Sequence, residues 1–172
     1  MKILVVVDMQ NDFVTGSLGS NEAKGIVNKV KNAIEHFDGE VVFTMDTHTK
    51  GYLDTEEGKK LPIEHCIVGT KGHEIVDELL PLVKSNKVFD KETFASVKLA
   101  EYIKEKFDKN QVESVTVCGL CTDICVISNA LFIKGMVPNL PIIVKKDLSA
   151  GTSVSAHNSA LTVMKSCLID VE

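Results

Sequence analysis

The strongest constraint on this chain is its first apolar segment. Ile3-Leu4-Val5-Val6-Val7 is an unbroken run of branched apolar residues. Successive side chains of a strand point to opposite faces, so such a run needs cover on both sides. The next periodic segment is helical: over residues 21–37, Ile26, Val30, Ala33, Ile34 and Phe37 recur at three- and four-residue spacing, with Asn21 as N-cap and Asp38-Gly39 as the stop. Val41 to Met45 then reads as a second strand. Residues 49–72, with their glycines, Pro62 and mixed charge, read as a long loop. Further along, strands are expected at 87–89, 115–118, 142–144 and 168–169. Helices are expected at 75–83, 96–107, 123–135 and 155–166. Strand alternating with helix implies βαβ units, hence an α/β fold with a parallel sheet covered on both faces. At 172 residues, the segment 1–172 is expected to form a single domain.

Composition narrows the partners. Nineteen Lys+Arg against 24 Asp+Glu leave a net charge of −5, so no basic field invites nucleic acid or an anionic membrane. No apolar run approaches the roughly 18 residues of a transmembrane helix, and Asp8 interrupts the apolar start before any cleavage pattern. A cytoplasmic location is expected. The five cysteines are an odd number, and three of them fall within Cys118–Cys125. That argues against a disulfide framework and asks for another explanation.

In parallel sheets the ligand crevice lies beyond the carboxyl ends of the strands. The residues that follow each strand are Asp8; Asp46 and His48; Asp90 and Lys91; and Cys121 to Cys125. Thr122 or Asp123 would cap a helix whose first turn holds Cys125, where free N–H groups favour a thiolate. Asp8 could take the thiol proton, and the Lys91 cation could lower the cysteine pKa. Cys118 and Cys167 read as core, Cys66 is undecided, and a Cys118-x-x-Cys121 redox or zinc pair has no matching second pair. Asp46-x-His48, with His65 further on, offers a carboxylate and two imidazoles, a donor set suited to zinc, manganese or iron.

These segments resemble a known family. Asp8-Met9-Gln10-Asn11-Asp12-Phe13 is similar to the D-x-Q-N-D-F opening of the isochorismatase-like cysteine hydrolases, which include nicotinamidases. Asp90-Lys91 with Phe94-Ala95-Ser96 resembles their lysine segment, and Cys118 to Val126 resembles G-x-A-T-D-x-C-V. The resemblance implies a three-layer α/β/α sandwich on a six-stranded parallel sheet, and an Asp8, Lys91, Cys125 triad. It implies a cis peptide at Leu120–Cys121 and an oxyanion hole from the N–H groups of Cys121 and Cys125. It implies a divalent metal, first of all zinc, on Asp46, His48 and His65, with Glu57 preferred over Glu56 and Glu64 as an added ligand. Phe13 would stack on a flat ring. Leu61 stands where nicotinamidases carry an aromatic residue, and Cys121 where the family has alanine, which puts a second thiol beside the nucleophile.

The expected activity is hydrolysis of a small amide to acid and ammonia through a thioester, with nicotinamide as first candidate. The resemblance also implies a homo-oligomer. The alternatives are another small amide or a carbamoyl compound. An isochorismate-type ether would leave Cys125 without a use. A receiver-like signalling module built on Asp8, Asp12, Asp46 and Lys145 is opposed by the chain's greater length and by Cys125.

Overall fold

A computed structural model describes residues 1–84 and 86–172. Six strands form one parallel sheet: β1 (Lys2–Val7), β2 (Glu40–Asp46), β3 (Lys87–Lys91), β4 (Ser114–Leu120), β5 (Ile142–Ala150) and β6 (Asp170–Val171). Their spatial order is β3-β2-β1-β4-β5-β6, so the direction of winding reverses between β1 and β4. That reversal opens the crevice in which doubly wound folds bind ligands.

The helices are α1 (Asn11–Val14), α2 (Asn21–Glu35), α3 (Glu56–Lys60), α4 (Leu80–Val83), α5 (Val97–Asp108), α6 (Ile127–Met136) and α7 (Val154–Ser166). The alternation of β1 explains the layers. Ile3, Val5 and Val7 enter one core with Leu99 and Ile103 of α5, Ala130 and Ile133 of α6, and Met164 of α7. Leu4 and Val6 enter the other with Ile26, Val30 and Ile34 of α2. The result is the expected three-layer sandwich.

Several local expectations change. The N-cap of α2 is Ser20, whose side chain accepts from the Ala23 N–H, and not Asn21. Only Leu80–Val83 of the expected helix 75–83 is helical; Ile75, Val76 and Leu79 instead bury their side chains from irregular backbone. β3 runs on through Asp90 and Lys91, so Lys91 ends the strand instead of following it. β5 continues past Val144 to Ala150, with an irregular register against β4 between Val117 and Gly119. The last strand lies at Asp170–Val171, because Leu168 takes a positive φ and is exposed. Cys167 is exposed at the end of α7 and is not core, whereas Cys66 and Cys118 are buried. Among the described residues, no helix is long and apolar enough to cross a membrane.

Candidate active site

Three strand ends meet at the reversal point. Asp8 leaves β1 with φ 46°, which turns its fully buried side chain back toward the neighbouring strands. Thr44 of β2 donates its hydroxyl to Asp8 Oδ1 at 2.6 Å. Lys91 Nζ lies 2.7 Å from Asp8 Oδ2, an ion contact that leaves this oxygen without an aligned hydrogen bond. The same ammonium is 3.1 Å from Asp46 Oδ1 and 3.4 Å from Cys125 Sγ. Asp8, Lys91 and Cys125 therefore share one buried cluster.

Cys125 does not sit in the first turn of a regular helix. Thr122–Val126 form a π-helical turn that runs into α6, and no side chain caps it. The two expected caps face elsewhere: Thr122 Oγ1 meets His157 Nδ1 at 2.8 Å, and Asp123 accepts from the N–H and hydroxyl of Thr152. Burial pushes the Cys125 thiol well above its ordinary value, and the nearby Asp8 charge adds to this against Lys91. Burial likewise raises Asp8, while Lys91 works the other way. Burial opposes the charge on Lys91, yet the Asp8, Cys125 and Asp46 side of the cluster holds its pKa up. Burial and the Asp8 charge thus favour the protonated form of the thiol, beside a carboxylate of raised basicity and a lysine held charged.

The peptide Leu120–Cys121 is cis. Before it, Gly119 has φ 116°, and a Cβ there would lie 2.1 Å from the Val7 carbonyl oxygen. Only glycine lets β4 and β1 approach this closely at the turn.

Asp46 joins this cluster to a second one. Its Oδ2 is 2.9 Å from His48 Nε2 and 3.4 Å from His65 Nε2, and all three residues are buried. Their potential ligand atoms lie within 4.8 Å of one another. His65 Nδ1 points at the Ile63 carbonyl at 2.8 Å. A carbonyl only accepts, so Nδ1 carries the proton and a neutral His65 offers Nε2 as a lone pair. Two imidazoles and one carboxylate converging in this way fit a small divalent cation. Glu57 Oε1 stands 3.6 Å from His65 Nε2 and 3.9 Å from His48 Nε2. Glu56 pairs with Lys59 in solvent, and the Glu64 carbonyl accepts from Ser17.

Both clusters open into a cavity of about 530 Å³. Phe13, Leu61 and Phe94 line it, together with Cys121 and Cys125. Lys145, the lysine of the receiver-like reading, instead pairs with Glu172 near the end of the chain.

Four contributors escaped sequence reasoning. Thr44 holds Asp8. Gln10 clamps the Asp46 backbone, donating to its carbonyl and accepting from its N–H, both at 2.8 Å. The Tyr52 ring packs on His48 and His65 and donates its hydroxyl to the Leu61 carbonyl. Asn129 bonds the Cys125 carbonyl. Thr44 and Asn129 left a readable signal, each being a polar residue inside an apolar element. Tyr52 left none.

Fold and site define an α/β protein with a buried Asp-Lys-Cys cluster and a neighbouring Asp-His-His group at the sheet's reversal point. A family model described as the isochorismatase domain matches residues 2–172, and the chain belongs to that family. An isochorismatase family protein of Bacillus subtilis is 30% identical over 175 residues, covering 94% of this chain and 92% of the relative. Among solved structures, the pyrazinamidase of Pyrococcus horikoshii in complex with zinc superposes with a TM-score of 0.83 at 28% identity, covering 99% of this chain and 98% of its own. A nicotinamidase/pyrazinamidase from Bacillus subtilis gives 0.79 at 26% identity, with the same coverage of both chains.

Proposed function

We propose that this enzyme is a cysteine amidohydrolase that converts a small aromatic amide, nicotinamide first, to the acid and ammonia. The observation that carries the reading is the buried Lys91 Nζ, 2.7 Å from Asp8 and 3.4 Å from Cys125 Sγ, behind a cavity that Cys125 lines together with the Asp-His-His group. Similarity to pyrazinamidases and nicotinamidases supports the substrate class.

The chemistry follows from the charges. The thiol is neutral at rest, so its proton must leave as attack begins. Asp8 Oδ2 is the available base, because Thr44 already occupies Oδ1. Sulfur attacks the amide carbonyl, and Lys91 stays charged beside the new thiolate character. The backbone N–H groups of Cys121 and Cys125 would hold the carbonyl oxygen as it gains charge. Protonated Asp8 gives its proton to the departing nitrogen, leaving a thioester and ammonia. Asp8 then takes a proton from water as its oxygen attacks the thioester carbonyl, the carbon–sulfur bond breaks to release the acid, and Asp8 returns that proton to the Cys125 sulfur, restoring the thiol and the carboxylate.

Asp46, His48 and His65, with Glu57 close by, would hold zinc, manganese or iron. A bound divalent cation supplies a Lewis-acid site for the lone pair of a ring nitrogen, which favours pyridine and pyrazine amides. Phe13 and Leu61 would flank the ring.

Ammonia release from nicotinamide, pyrazinamide and an aliphatic amide tests the reading. Turnover of the ring amides that disappears in Cys125→Ala is expected. Turnover of the aliphatic amide alone would overturn the substrate class and keep the mechanism. Full activity in Cys125→Ala would remove the nucleophile.

A further inference from the structure

Asn129 is the third residue of α6, inside the continuous helical segment that begins with the π-helical turn Thr122–Val126, and 1% of its surface is exposed. Helix interiors disfavour asparagine, and a buried amide is costly unless its donors and acceptor are used. Here they are used on both sides, within the helical segment and outside it. Oδ1 accepts from the Ser96 N–H at 2.9 Å. Nδ2 donates to the Phe94 carbonyl at 3.0 Å and to the Cys125 carbonyl at 2.8 Å. One side chain therefore ties together two separate segments. One leaves β3 just after Lys91 and carries Phe94 on the cavity wall. The other is the π-helical turn that carries Cys125.

The two segments also meet through the reacting groups, where Lys91 Nζ approaches Cys125 Sγ at 3.4 Å. That contact is weak and must change as the thiol loses its proton. The apolar packing of α5 on α6, through Leu99 and Ala100 against Ala130 and Ile133, is non-directional and permits small slides. Reaction rates respond to displacements of about 1 Å. Among the described residues, the hydrogen bonds of Asn129 are the directional link between these two segments behind the reacting groups. The join from π to α register falls beside the Cys125 carbonyl, where Asn129 supplies a donor from a side chain.

We propose that Asn129 is a positioning residue that sets the separation between the Lys91 ammonium and the Cys125 thiol, by clamping the nucleophile's turn to residues 94–96. Ser96 gains a second role from the clamp. Its N–H is held by Asn129 while its hydroxyl caps α5 by accepting from the Leu99 N–H at 3.2 Å. The cavity wall at Phe94 and the start of α5 are thereby locked to the same point as the nucleophile.

The inference rests on Cys125 as nucleophile, and its test separates the two. Asn129→Ala, Asn129→Thr, Ile133→Val and Cys125→Ser are compared by thermal melting and by kcat and KM on the best ring amide. Threonine can bond back to the carbonyl four residues earlier, so it keeps the Cys125 link and loses the one to 94–96. It also serves if the alanine variant does not fold. Both Asn129 variants should lose roughly 10- to 100-fold in kcat with KM held within about threefold, since orientation and not binding is damaged. Ile133→Val, a core change in the same helix, should lower Tm and leave kcat alone. A folded Asn129 variant with kcat within twofold of the parent, or losses that only follow Tm as in Ile133→Val, would overturn the clamp while Cys125→Ser is inactive. Turnover surviving in Cys125→Ser would overturn the nucleophile and the clamp together.

Discussion

Single atoms decide most of the chemistry. Cys121 and Gly119 flank the same cis peptide turn and have opposite tolerances. Cys121 is assigned only a backbone N–H, and its side chain merely lines the cavity. Cys121→Ala should therefore keep kcat within about twofold, measured by ammonia release; a loss beyond roughly tenfold would give the thiol a role. Gly119 has no such latitude. Its φ of 116° and the 2.1 Å approach of a Cβ to the Val7 carbonyl leave no room. Gly119→Ala should cost roughly 3 kcal/mol or more in denaturant unfolding, by strain and by parting β1 from β4. The reactive residues at strand ends were legible because a parallel sheet gathers those ends at one edge. The roles of Thr44, Gln10 and Asn129 were not, because a polar residue in an apolar element or a motif position does not show which partner it meets across the fold. The balance of forces on the thiol was equally hidden: a helix start favours a thiolate, whereas burial beside Asp8 raises the Cys125 pKa.

At the level of elements, legibility tracks apolar continuity. β1, β2 and β4 are apolar runs and were read nearly to their ends. β5 was cut short at Val144 because Lys145-Lys146-Asp147 looks like a loop, yet the strand continues through it to pair Ser149 and Ala150 with β4. The long stretch between β2 and β3 has little periodicity and still carries His48, Glu57 and His65. Polar ties from elsewhere hold it: the Asp12 carboxylate accepts from the Cys66 N–H at 2.8 Å, and Gln10 Nε2 donates to the His73 carbonyl at 2.8 Å. A cation on Asp46, His48 and His65 would pin the same stretch. Anything bound only to the folded state adds stability by mass action. Chelation of metal-loaded protein should lower Tm by several degrees, and readdition of zinc should restore it. His65→Ala should melt at a temperature indifferent to both treatments. A chelator response of normal size in His65→Ala would place the cation elsewhere.

For the molecule as a whole, the buried Asp8–Lys91–Cys125 cluster works against the fold that holds it. The sheet order brings Asp8, Asp46 and Lys91 into one buried region, and burial alone penalises each charge. Asp46 escapes this, because the His48 Nε2 contact at 2.9 Å, the neighbouring His65 ring and the Lys91 charge hold its carboxyl below the usual range against burial. Asp8 does not: burial leaves its folded pKa above the ordinary 3.8 despite Lys91. A folded pKa above the unfolded one means that the folded state binds the proton more tightly. The stability linked to Asp8 is then fully present below pH 3.8 and is lost as pH rises through the raised folded value. At neutral pH an ionised Asp8 is therefore a net cost. Asp8→Asn keeps the shape, can still accept from Thr44 through Oδ1, and leaves Lys91 with Asp46. It should lose roughly 100-fold or more in kcat, since an amide cannot take the thiol proton. It should nonetheless melt at or above the parent at pH 7, where a gain of about 1 kcal/mol raises Tm by roughly 3 °C in a chain of this length. The gap should close on acidification as Asp8 in the parent becomes protonated. Melts of both proteins across that range decide the matter: an Asp8→Asn variant several degrees less stable at pH 7 would show that the Asp8–Lys91 ion pair supports the fold instead of taxing it.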